Sequence, residues 1–175
     1  MIGSVHNVPY KKDVEGNILY TDPAAEKLFT DRTDKEAYRL MMETTLENVR
    51  TSDCFQTLGH LDYVVRYGKS REKEYSYTDY EDIIDEILKL LIEKEKGLEV
   101  NSAGLKYGLP FAHPHPDVLK RYRELGGEII TIGADAHKPE HIAYDFAKAE
   151  EILKSCGFKY YTEFFEQKPV FKQLI

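Results

Sequence analysis

Glu128-Ile129-Ile130-Thr131-Ile132-Gly133-Ala134-Asp135-Ala136-His137 is the stretch on which the fold turns. Its first six residues are β-branched and mostly apolar, which suits a strand buried in a parallel sheet. The residues just past Gly133 are of another kind, a carboxylate and an imidazole two positions apart. On either side the pattern is helical. Pro116 suits the first turn of a helix over Asp117 to Leu125, ended by Gly126-Gly127, and a further helix covers roughly Ala143 to Ser155, ended by Gly157.

Working outward, the alternation repeats. Leu98 to Asn101 is a short strand, and before it Ile83, Ile84, Ile87, Leu88, Leu91 and Ile92 mark the buried face of a helix from about Asp79 to Lys96. Thr57 to Asp62 reads as another short strand. It follows a helix that starts at Thr33 with a capping box closed by Glu36 and ends near Asp53. The chain opens with an extended piece, Ile2 to His6, and a loop rich in Asn, Pro, Lys and Asp. The segment 66–77 is charged and loop-like. Phe158 to Phe165 and Pro169 to Leu174 read as a final pair of strands. Strand–helix alternation of this kind predicts a parallel α/β architecture. No repeat or linker divides it, so residues 1–175 are expected to form one domain.

Composition narrows the function classes. The 175 residues carry 24 Lys+Arg against 31 Asp+Glu, a net charge of −7, which disfavours binding to a run of phosphates. Two cysteines cannot build a disulfide framework, and no apolar run reaches the ~20 residues that cross a bilayer. The expectation is a cytoplasmic protein with neither a nucleic-acid nor a membrane partner.

Ligand-type residues recur where strands end: His6, then His60 and Asp62, then Asn101 and Ser102, then Asp135 and His137. Functional groups on parallel α/β folds gather at the C-terminal ends of strands. In an extended segment, residues two apart face the same way, so Asp135 and His137 can share a site, and such oxygen and nitrogen donors suit Zn, Mn or Fe. Read alone, the same pair also fits a helix N-cap and a surface histidine. His113-Pro114-His115-Pro116 reads mainly as loop and helix entry, with His115 near the helix N-terminus.

Four segments in order carry a resemblance: Ile2-Gly3-Ser4-Val5-His6, Gly59-His60-Leu61-Asp62, 98–105 (Leu-Glu-Val-Asn-Ser-Ala-Gly-Leu) and 131–139 (Thr-Ile-Gly-Ala-Asp-Ala-His-Lys-Pro). Together they resemble the second half of the PHP-family histidinol phosphatases, the polymerase-and-histidinol-phosphatase domain. The resemblance implies a partial (β/α) barrel of about four βα units plus C-terminal strands, where a full barrel takes about 250 residues. It implies hydrolysis of L-histidinol phosphate to L-histidinol and phosphate in histidine biosynthesis, with up to three divalent ions as nucleophile source and charge clamp. By motif, His6 and His60 match ligands of one metal, Asp135 a ligand of a second and His137 of a third. Asp135 and His137 take the catalytic roles. Lys106 stands where the family carries an arginine for phosphate, with Asn101 and Ser102 lining the pocket and Asp62 orienting His60.

The chain also departs from the family. The opening Asp-x-His-x-His motif, a further His and a bridging Glu have no match, which reads as an N-terminally truncated domain with fewer metal ions. Ala134 replaces the usual Ser before Asp-Ala-His. A partial barrel exposes an edge strand, so a homo-oligomer, a dimer first, or association with a separate N-terminal half is expected. Two functions follow: a metal-dependent phosphatase acting on a small phosphorylated substrate, or an inactive remnant that oligomerises and binds at most a metal or phosphate weakly.

Overall fold

The structure is a computed structural model that describes residues 1–175. Four strands form a parallel sheet in chain order: β1 (Ile2–Gly3), β4 (Thr57–Leu58), β5 (Gly97–Asn101) and β6 (Ile130–Gly133). Between β1 and β4 stand an antiparallel hairpin, β2 (Val8–Lys12) and β3 (Ile18–Thr21), and helix α1 (Asp34–Thr51). Helix α2 (Glu81–Glu93) joins β4 to β5, and α3 (Ala103–Lys106) and α4 (Pro116–Glu124) join β5 to β6. Helix α5 (Phe146–Ser155) leads to a second hairpin, β7 (Tyr160–Phe165) and β8 (Lys168–Gln173).

Local chemistry sets the helices. The Thr33 hydroxyl accepts the Glu36 N–H at 3.3 Å and the Glu36 carboxylate accepts the Thr33 N–H at 2.8 Å, which starts α1. Helix α2 buries Ile83, Ile84, Ile87, Leu88 and Leu91 along one stripe. Each such side chain contributes about 1.5–3 kcal/mol on leaving water. This stripe joins one apolar core with Tyr38, Met41 and Met42 of α1 and Val118, Leu119 and Tyr122 of α4.

The sheet has two unlike faces. Leu98 and Val100 of β5 turn to the helices and are fully buried. Glu99 and Asn101 turn to the other face by the two-residue period of a strand. On that face the hydroxyls of Thr57 and Thr131 meet at 3.2 Å. Their strands are not neighbours, because β5 lies between them. Strands two apart in a flat sheet are separated by about 9–10 Å. The contact therefore requires a strongly curved sheet, concave on this side, which is the curvature of an arc of a barrel. The parallel α/β partial barrel is the observed fold.

Several local expectations are corrected. The loop expected after His6 contains the β2–β3 hairpin. Its turn is tied by Asp13, whose carboxylate accepts the backbone N–H groups of Glu15 and Asn17 at 2.9 Å each. The strand expected to run to Asp62 stops at Leu58, because His60 has a left-handed backbone with φ 27°. The strand expected from Glu128 starts at Ile130. Segment 66–77 contains the end of the 3-10 helix Tyr63–Tyr67, the turn Arg71–Glu74 and the start of Tyr77–Asp79. No helix is long and apolar enough to cross a membrane.

Candidate functional site

The C-terminal ends of the four parallel strands point the same way, and the polar residues that follow them meet there. His6 comes three residues after β1, His60 two after β4, and Asp135 two after β6. The His6 and His60 rings stand 5.1 Å apart and nearly perpendicular, at 80°. The Tyr63 ring closes the group, 4.6 Å from His60 and 5.3 Å from His6.

His60 is buried and its Nδ1 has no hydrogen-bond partner. Burial, helped by the nearby His6 and His113, pushes its imidazole down to about 4. It is therefore neutral near pH 7, with a lone pair free to bind a cation. His6 is half exposed, with Nδ1 3.8 Å from Asp22 Oδ2, a carboxylate brought in just past the β2–β3 hairpin.

Asp135 also has a left-handed backbone, φ 47°. Its Oδ1 is 3.2 Å from His137 Nε2, and its Oδ2 is 3.9 Å from the Arg66 guanidinium. The His137 side chain is otherwise open to solvent, at 75% exposure. Lys106 does not point freely into the site. Its Nζ donates to the backbone carbonyls of Ala134 and Asp135, 3.0 Å each, tying α3 to the loop after β6. Burial holds this ammonium below the usual lysine range, against the pull of Asp135.

Asn101 and Ser102 are buried and occupied. Asn101 Nδ2 donates to Glu99 at 2.9 Å while its Oδ1 accepts the Ala103 N–H at 2.9 Å, and Ser102 Oγ donates to the Tyr144 carbonyl. Asp62 does not orient His60. Its Oδ1 lies 2.7 Å from His113 Nδ1 and its Oδ2 accepts the His115 N–H at 2.8 Å. The residues after His60 turn into a 3-10 helix (Tyr63–Tyr67), so Asp62 faces the loop before α4 instead. His115 caps α4, its Nδ1 accepting the Asp117 N–H at 3.2 Å.

Two residues of the site were not singled out from the sequence. Arg66 is one: its guanidinium lies 4.5 Å from the Tyr107 ring, 4.8 Å from Tyr67 and 5.3 Å from Tyr63, and its side chain is only 10% exposed. The tyrosines at 63 and 67 flanking it were the available signal. Glu99 is the other, a buried carboxylate whose burial raises it above the usual glutamate range.

As a cation site the cluster fits in donor type but not in number. Two imidazoles, one with an orphaned buried nitrogen, and a nearby carboxylate are ligands of the right chemistry. No three His, Cys, Asp or Glu side chains of the chain stand together closely enough to hold an ion by themselves.

The comparisons with known proteins point to one family. The PHP domain model matches residues 1–103. A protein of Clostridium acetobutylicum named probable histidinol-phosphatase is 32% identical over 168 residues, covering 96% of this chain and 61% of its own length. The histidinol-phosphatase of Lactococcus lactis subsp. lactis is 31% identical over 159 residues, covering 90% of this chain and 55% of its own. A crystal structure of the histidinol phosphate phosphatase from Lactococcus lactis, complexed with zinc, L-histidinol and phosphate, superposes with a TM-score of 0.74 at 29% identity. It covers 97% of this chain and 60% of that one. The chain thus spans about three-fifths of the length of the relatives it matches.

Proposed function

The chain belongs to the PHP domain family, and from that membership we propose that it contributes to phosphomonoester hydrolysis of the histidinol-phosphatase type, with L-histidinol phosphate as substrate. The observation that carries the reading is the buried, unpartnered Nδ1 of His60, whose ring lies 5.1 Å from that of His6. A buried polar atom without a partner is costly, and a bound ion is the partner its chemistry suits.

His6 and His60 would hold a divalent ion, zinc foremost, and Asp135 and His137 would hold further ions. When bound, such ions supply a nucleophile at neutral pH and neutralise phosphate oxygens. The chain's own residues do the rest. Arg66, fixed against three tyrosines and facing Asp135, offers a planar set of donors to the phosphate. Lys106 holds the Asp135 loop in place through two carbonyls and adds positive charge beside it. Tyr63 packs against both histidine rings, 4.6 Å from His60 and 5.3 Å from His6. Because no three ligand side chains cluster, the remaining donors come from the rest of a PHP barrel or from a second chain, either another copy or an N-terminal half.

The same incompleteness favours a second reading, an inactive chain that oligomerises and binds metal or phosphate weakly. One experiment separates the two. Protein purified without chelators or a His-tag is analysed for metal by mass spectrometry and then assayed for phosphate release from L-histidinol phosphate. Two or more equivalents of metal with turnover, both lost in His60→Ala, are expected. Metal near zero and no turnover would overturn a site completed by this chain's own copies and leave an inactive chain or a half-enzyme awaiting its partner.

A further inference from the structure

Three strand ends meet at one carboxylate that the proposed reaction leaves unused. Glu99 lies on the concave face of β5 and is only 3% exposed. Its Oε2 accepts the backbone N–H of His60 at 3.1 Å and Asn101 Nδ2 at 2.9 Å. The neighbouring strand ends make room for it. A Cβ on Gly133, at the end of β6, would stand 2.1 Å from Oε1; one on Gly59, just past β4, would stand 3.2 Å from Oε2 but closer still to Ser4 Oγ, at 2.4 Å. Neither glycine has a positive φ, so what glycine provides at these positions is space. A buried carboxylate is expensive and persists only where its bonds offset the lost water.

What those bonds hold is His60. Its φ of 27° lies where residues with a Cβ rarely sit, and such a backbone persists only when its surroundings fix it. The Glu99 bond reaches the N–H of that same residue. We propose that Glu99 is a positioning residue: it pins the His60 backbone in its left-handed turn and thereby aims the His60 imidazole at the cation it shares with His6. The cation rests on the function proposed above; the pinning bond does not.

Two readouts keep those apart. Hydrogen exchange of the His60 amide reports the pinning without metal. Zinc affinity, measured by competition with a chromophoric chelator, reports its consequence. In Glu99→Ala the His60 amide is expected to lose protection and zinc affinity to fall about 10- to 100-fold, the usual effect of removing a group that orients a metal ligand. In Glu99→Gln, whose carboxamide oxygen can accept the same N–H, both stay within a few-fold of wild type. Gly133→Ala, which crowds Oε1, should reproduce the loss of protection, and should have little further effect once Glu99 is already Ala. His60 protection equal to wild type in both Glu99→Ala and Gly133→Ala overturns the proposal. So does lost protection with zinc affinity unmoved. If Glu99→Ala does not fold, Gly133→Ala alone decides, by loss or retention of protection. Wild-type protein that binds no zinc but loses His60 protection in these variants overturns the aiming of His60 at a cation in this chain and leaves the pinning bond standing.

Discussion

The neutral imidazole of His60 has a consequence for stability. Free histidine titrates near about 6.5, whereas burial first, and then His6 and His113, push His60 to about 4. Between those values the unfolded chain binds a proton that the folded chain refuses. Stability is therefore full above this window and falls as pH drops through it. The total effect is on the order of 3 kcal/mol. We expect metal-free protein to lose thermal stability from pH 6.5 to 4, and His60→Asn to flatten that slope; parallel slopes would show that His60 is not the group responsible. At this scale the sequence exposed the residues that announce themselves by motif, His6, His60, Asp135 and His137. It did not expose Arg66 or Glu99. Arg66 opens the segment 66–77, which reads as charged loop, and its role comes from three aromatic rings, of which Tyr107 reaches it only in the fold. Asp62 was read toward His60 because they are two apart. The left-handed turn at His60 breaks that relation and delivers Asp62 to His113.

Between elements, the clearest polar clamp joins α2 to α4. Asp85 receives Arg121 Nη2 at 2.7 Å and Nε at 3.0 Å, and the Tyr77 hydroxyl at 2.6 Å. Arg121, with Tyr77, holds the Asp85 carboxyl at about 2 despite its burial. Asp85→Asn keeps the shape and loses the charge. The pair is partly exposed, so the expected loss is about 2 kcal/mol rather than the full penalty of a buried charge, measured by urea unfolding at pH 7. The difference from wild type should shrink as pH falls from about 4 toward 2, where wild type loses the same charge. The helices were legible because their signals are local: a capping box, a stripe, a proline at the first turn. Of the two hairpins, the β7–β8 strands were read but not from their turn, and the β2–β3 hairpin was missed. The β7–β8 turn places Glu166 and Gln167 at φ 48° and 65°, a conformation usually marked by Asn-Gly or Asp-Gly. The β2–β3 turn rests on Asp13 side-chain bonds in a stretch that reads as plain loop.

For the molecule as a whole, β1 is the exposed end of the sheet. Ile2 is 55% exposed, and a cavity of about 300 Å³ opens beside it, lined by Met1, Val5, Val49 and Phe55 among others. An unpaired edge beside apolar surface is a template for association. Light scattering is expected to show a dimer or larger, and Ile2→Lys, which charges the edge, to shift it toward monomer. A wild-type monomer at every working concentration would remove the second-copy route to a complete site. The overall architecture was readable because four strand-end motifs in order fix both topology and polarity; the curvature was expected only through the family resemblance, since the contact that shows it, Thr57 reaching Thr131 across β5, has no local signal. The aromatic cage around Arg66 has an optical consequence. The chain has 13 tyrosines and no tryptophan, so its ultraviolet emission is dominated by phenol rings. Tyr63, Tyr67 and Tyr107 enclose the guanidinium on which a phosphate would dock. If phosphate binds as proposed, its arrival changes the field at three of those fluorophores at once, and tyrosine emission would report it without a label.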